Sequence, residues 1–245
     1  MWRLPPLLLL ILLLVPPVSP ATAHRVYLVF DTPQSPMAIP WTEVLEDACG
    51  FARYRSTASE VARYCTTGLF FAQRFYYPDD TRSYWITGSG LRTFNLTVYY
   101  DTPGWVPGNC ADVSDFLCIC QNALGLTFTV AAYISSPSDA YGSFLSNRVC
   151  LIGSDPTFLY TYTESTRGWH QIAHSSTHTV YDVCAAQWQD LSGYGYQNPP
   201  VNWPLAGYWQ TNSGLGLVRQ PNPTSPLIKA SNMGNPRGEY TPHIL

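Results

Sequence analysis

Asn109-Cys110-Ala111-Asp112-Val113-Ser114-Asp115-Phe116-Leu117, running on to Leu124-Gly125-Leu126, is the stretch on which the fold turns. Val113, Phe116, Leu117, Cys120 and Leu124 recur at helical spacing, while Asp112, Asp115, Gln121 and Asn122 fall elsewhere, which predicts an amphipathic helix. Asn109 is a good N-cap, because its side-chain oxygen accepts from the unsatisfied amides of the first turn. Gly125 supplies a left-handed stop. Cys110 therefore opens the helix at the positive end of its dipole, where a thiolate is favoured. A nucleophile of this kind needs a general base, and the chain downstream decides whether one exists.

Thr127 to Ser135 reads as a buried strand. Residues 168–174 and 179–184 then have strand patterns on either side of a short turn at Ser175-Ser176, a hairpin in outline. His170 lies on its first strand and Asp182 on its second. Residues about a dozen apart around a tight turn face each other across the strands, so these two are expected as neighbours over the start of the Cys110 helix. A Cys–His pair works when the imidazole reaches the sulfur and a third group holds one tautomer. The Cys110 amide is unsatisfied at the helix start and suits an oxyanion. For a second donor, Trp105, Gln121 and Gln171 all remain open.

The order of helix with N-terminal cysteine, strand and hairpin resembles the core of transglutaminase-like proteins, within the papain-like cysteine hydrolase group. The residues that carry the resemblance are Cys110-Ala111-Asp112 with the apolar helix ending at Leu124-Gly125-Leu126, then Trp169-His170-Gln171-Ile172 and Val180-Tyr181-Asp182. They span about residues 103–186. The resemblance implies an α+β fold, Cys110 as nucleophile, His170 as base and Asp182 as the orienting acid, with no cofactor and no metal. The Trp-His-Gln-Ile context favours His170 over His174, four residues on. His178 is expected at the solvated turn, Asp112 in a structural role and Tyr181 in packing. A zinc site on His170, His174 and His178 is the competing use of the histidines.

Elsewhere the pattern predicts a strand at 25–31, helices at 40–51 and 57–71, and a strand or extended segment at 92–100. Thr57 to Glu60 resembles a capping box at the second helix. Asn95-Leu96-Thr97 is a glycosylation sequon, meaningful in a eukaryotic secretory pathway. Further strands are expected at 148–152 and near 158–163. From about residue 193, Gly and Pro recur among Asn, Gln, Trp and Tyr, and long loops with little regular structure are expected. The domain reading is therefore a catalytic domain over 24–193 and an extension over 194–245, packed on that domain or partly disordered.

The chain's beginning bears on location. Arg3, the apolar run Leu7 to Val15, and Ala21-Thr22-Ala23 read as a secretory signal peptide over 1–23. The run is too short to span a bilayer comfortably. A secreted or periplasmic protein is expected, with no membrane association after cleavage. In such a protein seven cysteines are an odd count. Bridges among Cys49, Cys65, Cys118, Cys120, Cys150 and Cys184 would leave Cys110 as the unpaired thiol, and Cys49 with Cys65 is the easiest pair. The alternatives are buried unpaired cysteines, or Cys110 itself in a bridge.

Lys229 is the only lysine and the net charge is -3, so a basic nucleic-acid surface has little to build from. No phosphate loop or Gly-x-Ser-x-Gly elbow occurs. The expected function is a cysteine-dependent hydrolase or acyl transferase acting on peptide or amide bonds of protein or peptide substrates, from cell-wall or other extracellular material. Two alternatives stay open. One is a cell-wall endopeptidase, which the Asn109-Cys110-Ala111 context and Asp182 lean against. The other is a secreted binding or structural module without turnover, for which the aromatic segment Tyr194 to Tyr208 would be the surface.

Overall fold

The computed structural model describes residues 26–72, 74–78, 82–87, 93–134, 148–153, 160–161, 169–187, 199, 201–204, 236–240 and 243–244. Helices α1 (Thr42–Phe51) and α2 (Ala58–Phe71) come first. Strands β1 (Phe75–Tyr76), β2 (Ile86–Thr87) and β3 (Thr93–Phe94) lead to helix α3 (Leu96–Asp101), strand β4 (Val106–Pro107) and helix α4 (Cys110–Ala123). Strands β5 (Phe128–Ile134), β6 (Arg148–Leu151), β7 (Tyr160–Thr161), β8 (Trp169–Ser175), β9 (Thr179–Tyr181) and β10 (Ala185–Gln187) follow. β11 (Val201–Pro204), β12 (Pro236–Tyr240) and β13 (His243–Ile244) complete the order. The class is α+β.

The main sheet has five strands in the order β11-β9-β8-β5-β12, all antiparallel. The described residues also form small sheets β10-β6-β7, β13-β3-β2 and β1-β4. Helix α4 lies between α1 and α2 on one side and strands β5 and β8 on the other. This placement overturns the amphipathic expectation, because all fourteen residues of α4 are buried. With neighbours all round, its polar side chains bond to the layers that cover them instead of to water. Asn122 donates to the Ser35 and Phe128 carbonyls and accepts from the Phe128 amide, and Gln121 donates to the Ala62 carbonyl.

Both ends of α4 form as their sequence dictates. Leu126 N–H donates to the Gln121 carbonyl and Gly125 N–H to that of Asn122, a Schellman stop. Gly125 has φ +88, and a Cβ there would sit 2.3 Å from the Asp31 carbonyl oxygen, so no other residue fits. At the other end, a Cβ on Gly108 would meet the Phe75 ring at 2.5 Å, and the bare glycine lets β4 enter the helix close to β1.

Three local expectations are corrected. Residues 26–31 form no strand. Val26 and Leu28 are 79% and 87% exposed, and the segment is held instead by the Phe30 and Asp31 amides, which donate to the Leu124 carbonyl. Within 92–100 the chain turns helical after Phe94, since Asn95 Oδ1 caps α3 by accepting from Val98 N–H. Tyr99 of α3 then packs among Phe75, Trp85, Phe94 and Phe116, with ring centroids 4.6–5.7 Å away. That aromatic packing outweighs the β propensity of Val98, Tyr99 and Tyr100. Beyond residue 193, β11 and β12 extend the main sheet and β13 pairs with β3, where loops had been expected. Their partners lie far away in sequence, so no local pattern announces them. The expected leader over 1–23 and most of the segment 194–208 lie outside the described residues.

The disulfide framework is also corrected: no two of the seven cysteines stand at disulfide distance. Cys49 Sγ faces the Leu28 carbonyl at 3.7 Å and Cys65 Sγ that of Ala48 at 3.8 Å. Cys118 and Cys120 occupy different sides of the enclosed α4 and fill core. Cys65, Cys118 and Cys120 behave as small buried hydrophobic groups, and Cys49 is half-buried against them. Without bridges, an odd count no longer singles out Cys110, and only its position at the head of α4 does.

Candidate active site

Cys110 is the first residue of α4 and is placed there by a complete capping box. Asn109 Oδ1 accepts from the amides of Ala111 at 2.9 Å and Asp112 at 3.2 Å, while Asp112 Oδ2 accepts from Asn109 N–H at 3.1 Å. The Asp112 carboxylate also takes the amides of Tyr84 and Trp85, at 3.1 and 3.0 Å. Asn109 Nδ2 reaches the Arg82 carbonyl at 2.9 Å. The segment 82–85 is thereby bound to the start of the helix. The capped turn satisfies Ala111 and Asp112 but leaves the Cys110 N–H without a partner among the described residues.

His170 comes from β8, the central strand of the main sheet. Its Nε2 lies 2.7 Å from Asp182 Oδ2, and the Cys110 side chain lies beside the ring, near enough to favour its charged form. With Nε2 engaged by the acid, Nδ1 is the nitrogen left for the sulfur. Asp182 is fixed in turn, because its Oδ1 accepts from the Cys184 amide at 2.8 Å. Cys110, His170 and Asp182 are 4%, 2% and 0% exposed. Burial opposes a charge on the His170 ring, but the Asp182 carboxylate, the bond to it and the neighbouring Cys110 side chain outweigh it, and the pKa is pushed up to about 10. The charged ring that this favours holds a proton it can give.

The hairpin delivers this contact differently from the simplest expectation. β9 ends at Tyr181, and the register pairs Ala173 with Tyr181 and His174 with Val180. Asp182 thus lies one residue past the strand and two positions away from direct opposition to His170. The pair is diagonal, a separation that a long side chain still bridges.

The competing histidines lie elsewhere. His174 is buried with Nδ1 2.9 Å from the Ser175 carbonyl oxygen, and its ring stacks on His178 at 5.4 Å. His178 sits exposed in the turn at φ +55. His170 is not gathered with them, and no group of three metal-ligating side chains occurs among the described residues. The second oxyanion donor is not found where it was sought. Trp105 is 53% exposed, and Gln121 lies at the far end of α4. The Gln171 amide is engaged by the Ala111 carbonyl and the Asp115 carboxylate.

Sequence reasoning missed two parts of this arrangement. The reciprocal Asn109–Asp112 box was legible as an N-cap followed three residues on by an acid. The hold of Asp112 on residues 84 and 85 had no local signal. No protein-family model, curated protein or solved structure matches the chain.

Proposed function

We propose that this chain is a cysteine-dependent hydrolase or acyl transferase with a papain-like, transglutaminase-like core, acting on peptide or amide bonds of extracellular protein or peptide substrates. The observation that carries the reading is the continuous buried contact Cys110–His170–Asp182, with the cysteine at a helix N-terminus. The Cys110 sulfur attacks the carboxamide carbon, and the carbonyl oxygen takes up negative charge beside the Cys110 N–H. His170 gives its proton to the departing amine nitrogen as the C–N bond breaks, leaving a thioester. Water then attacks the thioester, with His170 taking its proton, and the carboxylic acid leaves as the C–S bond breaks. Asp182 keeps the ring in one orientation and charge-compensated throughout. Hydrolysis is favoured over crosslinking, which needs an amine site and exclusion of water.

One observation favours a second reading, a binding or structural module without turnover: the triad is almost wholly enclosed. Peptide-resolved labelling with iodoacetamide under non-reducing conditions separates the two. Alkylation of Cys110 in the native protein, with loss of activity in Cys110→Ala, supports the enzyme. An unlabelled Cys110, or full activity in Cys110→Ala, rejects it.

A further inference from the structure

We infer that Gln171 is a positioning residue, which with Ser114 and Asp115 sets the distance between the His170 ring and the Cys110 sulfur; this rests on the proposed catalytic role of that pair. His170 and Cys110 belong to different layers, so their separation depends on how β8 sits on α4. Nothing in the thiol–imidazole contact itself fixes that packing.

Gln171, the residue next to His170, makes the polar connection. Its side-chain amide donates to Asp115 Oδ1 at 2.6 Å and to the Ala111 carbonyl at 3.2 Å, and its own carbonyl accepts from Ser114 Oγ at 3.0 Å. Gln171, Ser114 and Asp115 are all fully buried. The amide-to-carboxylate bond is short and charge-assisted, which makes it the stiffest of the three. Ala111, Ser114 and Asp115 occupy the first two turns of the helix that Cys110 opens. One strand residue is thus held at three points on those turns, directly beside the base.

Apolar packing alone would let a strand slide on a helix by a fraction of a side chain, whereas three directional bonds define one register. A misplacement of about 1 Å between reacting groups costs up to about a hundredfold in rate. An excess buried Gln–Asp link is otherwise a poor use of core volume, since well-packed apolar groups serve stability as well.

The test is the pH profile of Cys110 alkylation by iodoacetamide, resolved by peptide mass spectrometry, in the full chain and its variants. Gln171→Leu is expected to slow labelling roughly ten- to a hundredfold and to give the profile of His170→Ala. Asp115→Asn, which keeps an acceptor for the Gln171 amide but loses the charge assistance, is expected to fall between wild type and Gln171→Leu. Should Gln171→Leu fail to give a cooperative melt, Ser114→Ala removes a single bond and is expected to shift the profile in the same direction. A wild-type profile in whichever of these two variants folds overturns the inference while leaving the proposed function standing. A wild-type protein whose Cys110 does not label overturns the proposed function, and this inference with it.

Discussion

His170 Nε2 and Asp182 Oδ2 meet at 2.7 Å although the strand register sets their residues two positions out of opposition. The acid achieves this from just beyond the strand end, where the Cys184 amide turns its carboxylate back toward the sheet. Both groups are buried, so the charge on the His170 ring depends on the acid rather than on water.

Removing the acid is therefore expected to be costly. Asp182→Ala leaves a buried imidazolium uncompensated, and loss of one partner of a buried pair costs about 3–5 kcal/mol. Urea unfolding of the variant against wild type measures it. Asp182→Asn, which preserves shape, is expected to be milder in stability but to lower the Cys110 alkylation rate strongly.

The pair also predicts a direction for pH dependence. Burial works against the His170 charge, yet Asp182 and Cys110 hold the ring's pKa up to about 10 in the folded protein. The ordinary value of the unfolded chain is about 6.5. A raised folded value contributes stability that is fully present below the unfolded value and is lost as pH rises through the folded one. The stability gap between wild type and Asp182→Asn is expected to be widest near pH 6 and to narrow towards pH 10. A gap that stays constant or widens contradicts the assignment.

The capping box makes a separate prediction about the N-terminus of α4. Asp112→Ala removes the acceptor of the buried Trp85 and Asn109 amides and of the part-buried Tyr84 amide, at about 1–3 kcal/mol for each buried group left unsatisfied. A loss of about 3 kcal/mol or more in urea unfolding is expected. Asn109→Ala, which loses the cap to Ala111 and Asp112, is expected to cost about 1–2 kcal/mol.

The thiols can be counted directly. With no cysteine pair at disulfide distance, titration of the denatured, unreduced protein is expected to find seven thiols, and its mass to show no bridge. A count of one thiol would restore the bridged framework that the odd number first suggested.

Much of the site was legible because its signals are local. An N-cap asparagine, a helical apolar period and a glycine stop placed Cys110 at a helix start, and a two-strand pattern around Ser175-Ser176 placed His170. What the sequence left hidden depends on distant partners. The polar residues of α4 looked solvent-facing because nothing local tells that α1, α2 and the sheet enclose the helix. Asn95 looked like part of a strand until its cap on Val98 and the packing of Tyr99 against Phe116 made α3 the better outcome. Gln171 stood with Trp105 and Gln121 as an open choice for the second oxyanion donor, whereas its amide is held by Asp115 across the layer boundary. The tail past residue 193 read as loop because its strands take their order from β5, β9 and β3.

The choice of base separates His170, which its Trp-His-Gln-Ile context favours, from His174 on the same strand. His170→Gln is expected to suppress Cys110 alkylation at neutral pH, while His174→Gln, which alters a ring bonded to Ser175 and stacked on His178, is expected to leave it nearly unchanged. Reversal of the two outcomes would move the base to His174.

The most direct measurement is competitive alkylation of the native, unreduced protein, read cysteine by cysteine. Burial holds the thiols of Cys65, Cys118 and Cys120 well above their ordinary pKa, so they are poor nucleophiles at neutral pH. Cys110, beside a protonated His170 at the head of α4, is expected to label well ahead of all three, and to lose that lead in His170→Gln. Labelling of Cys110 no faster than these core thiols, or a lead that survives His170→Gln, would contradict the account.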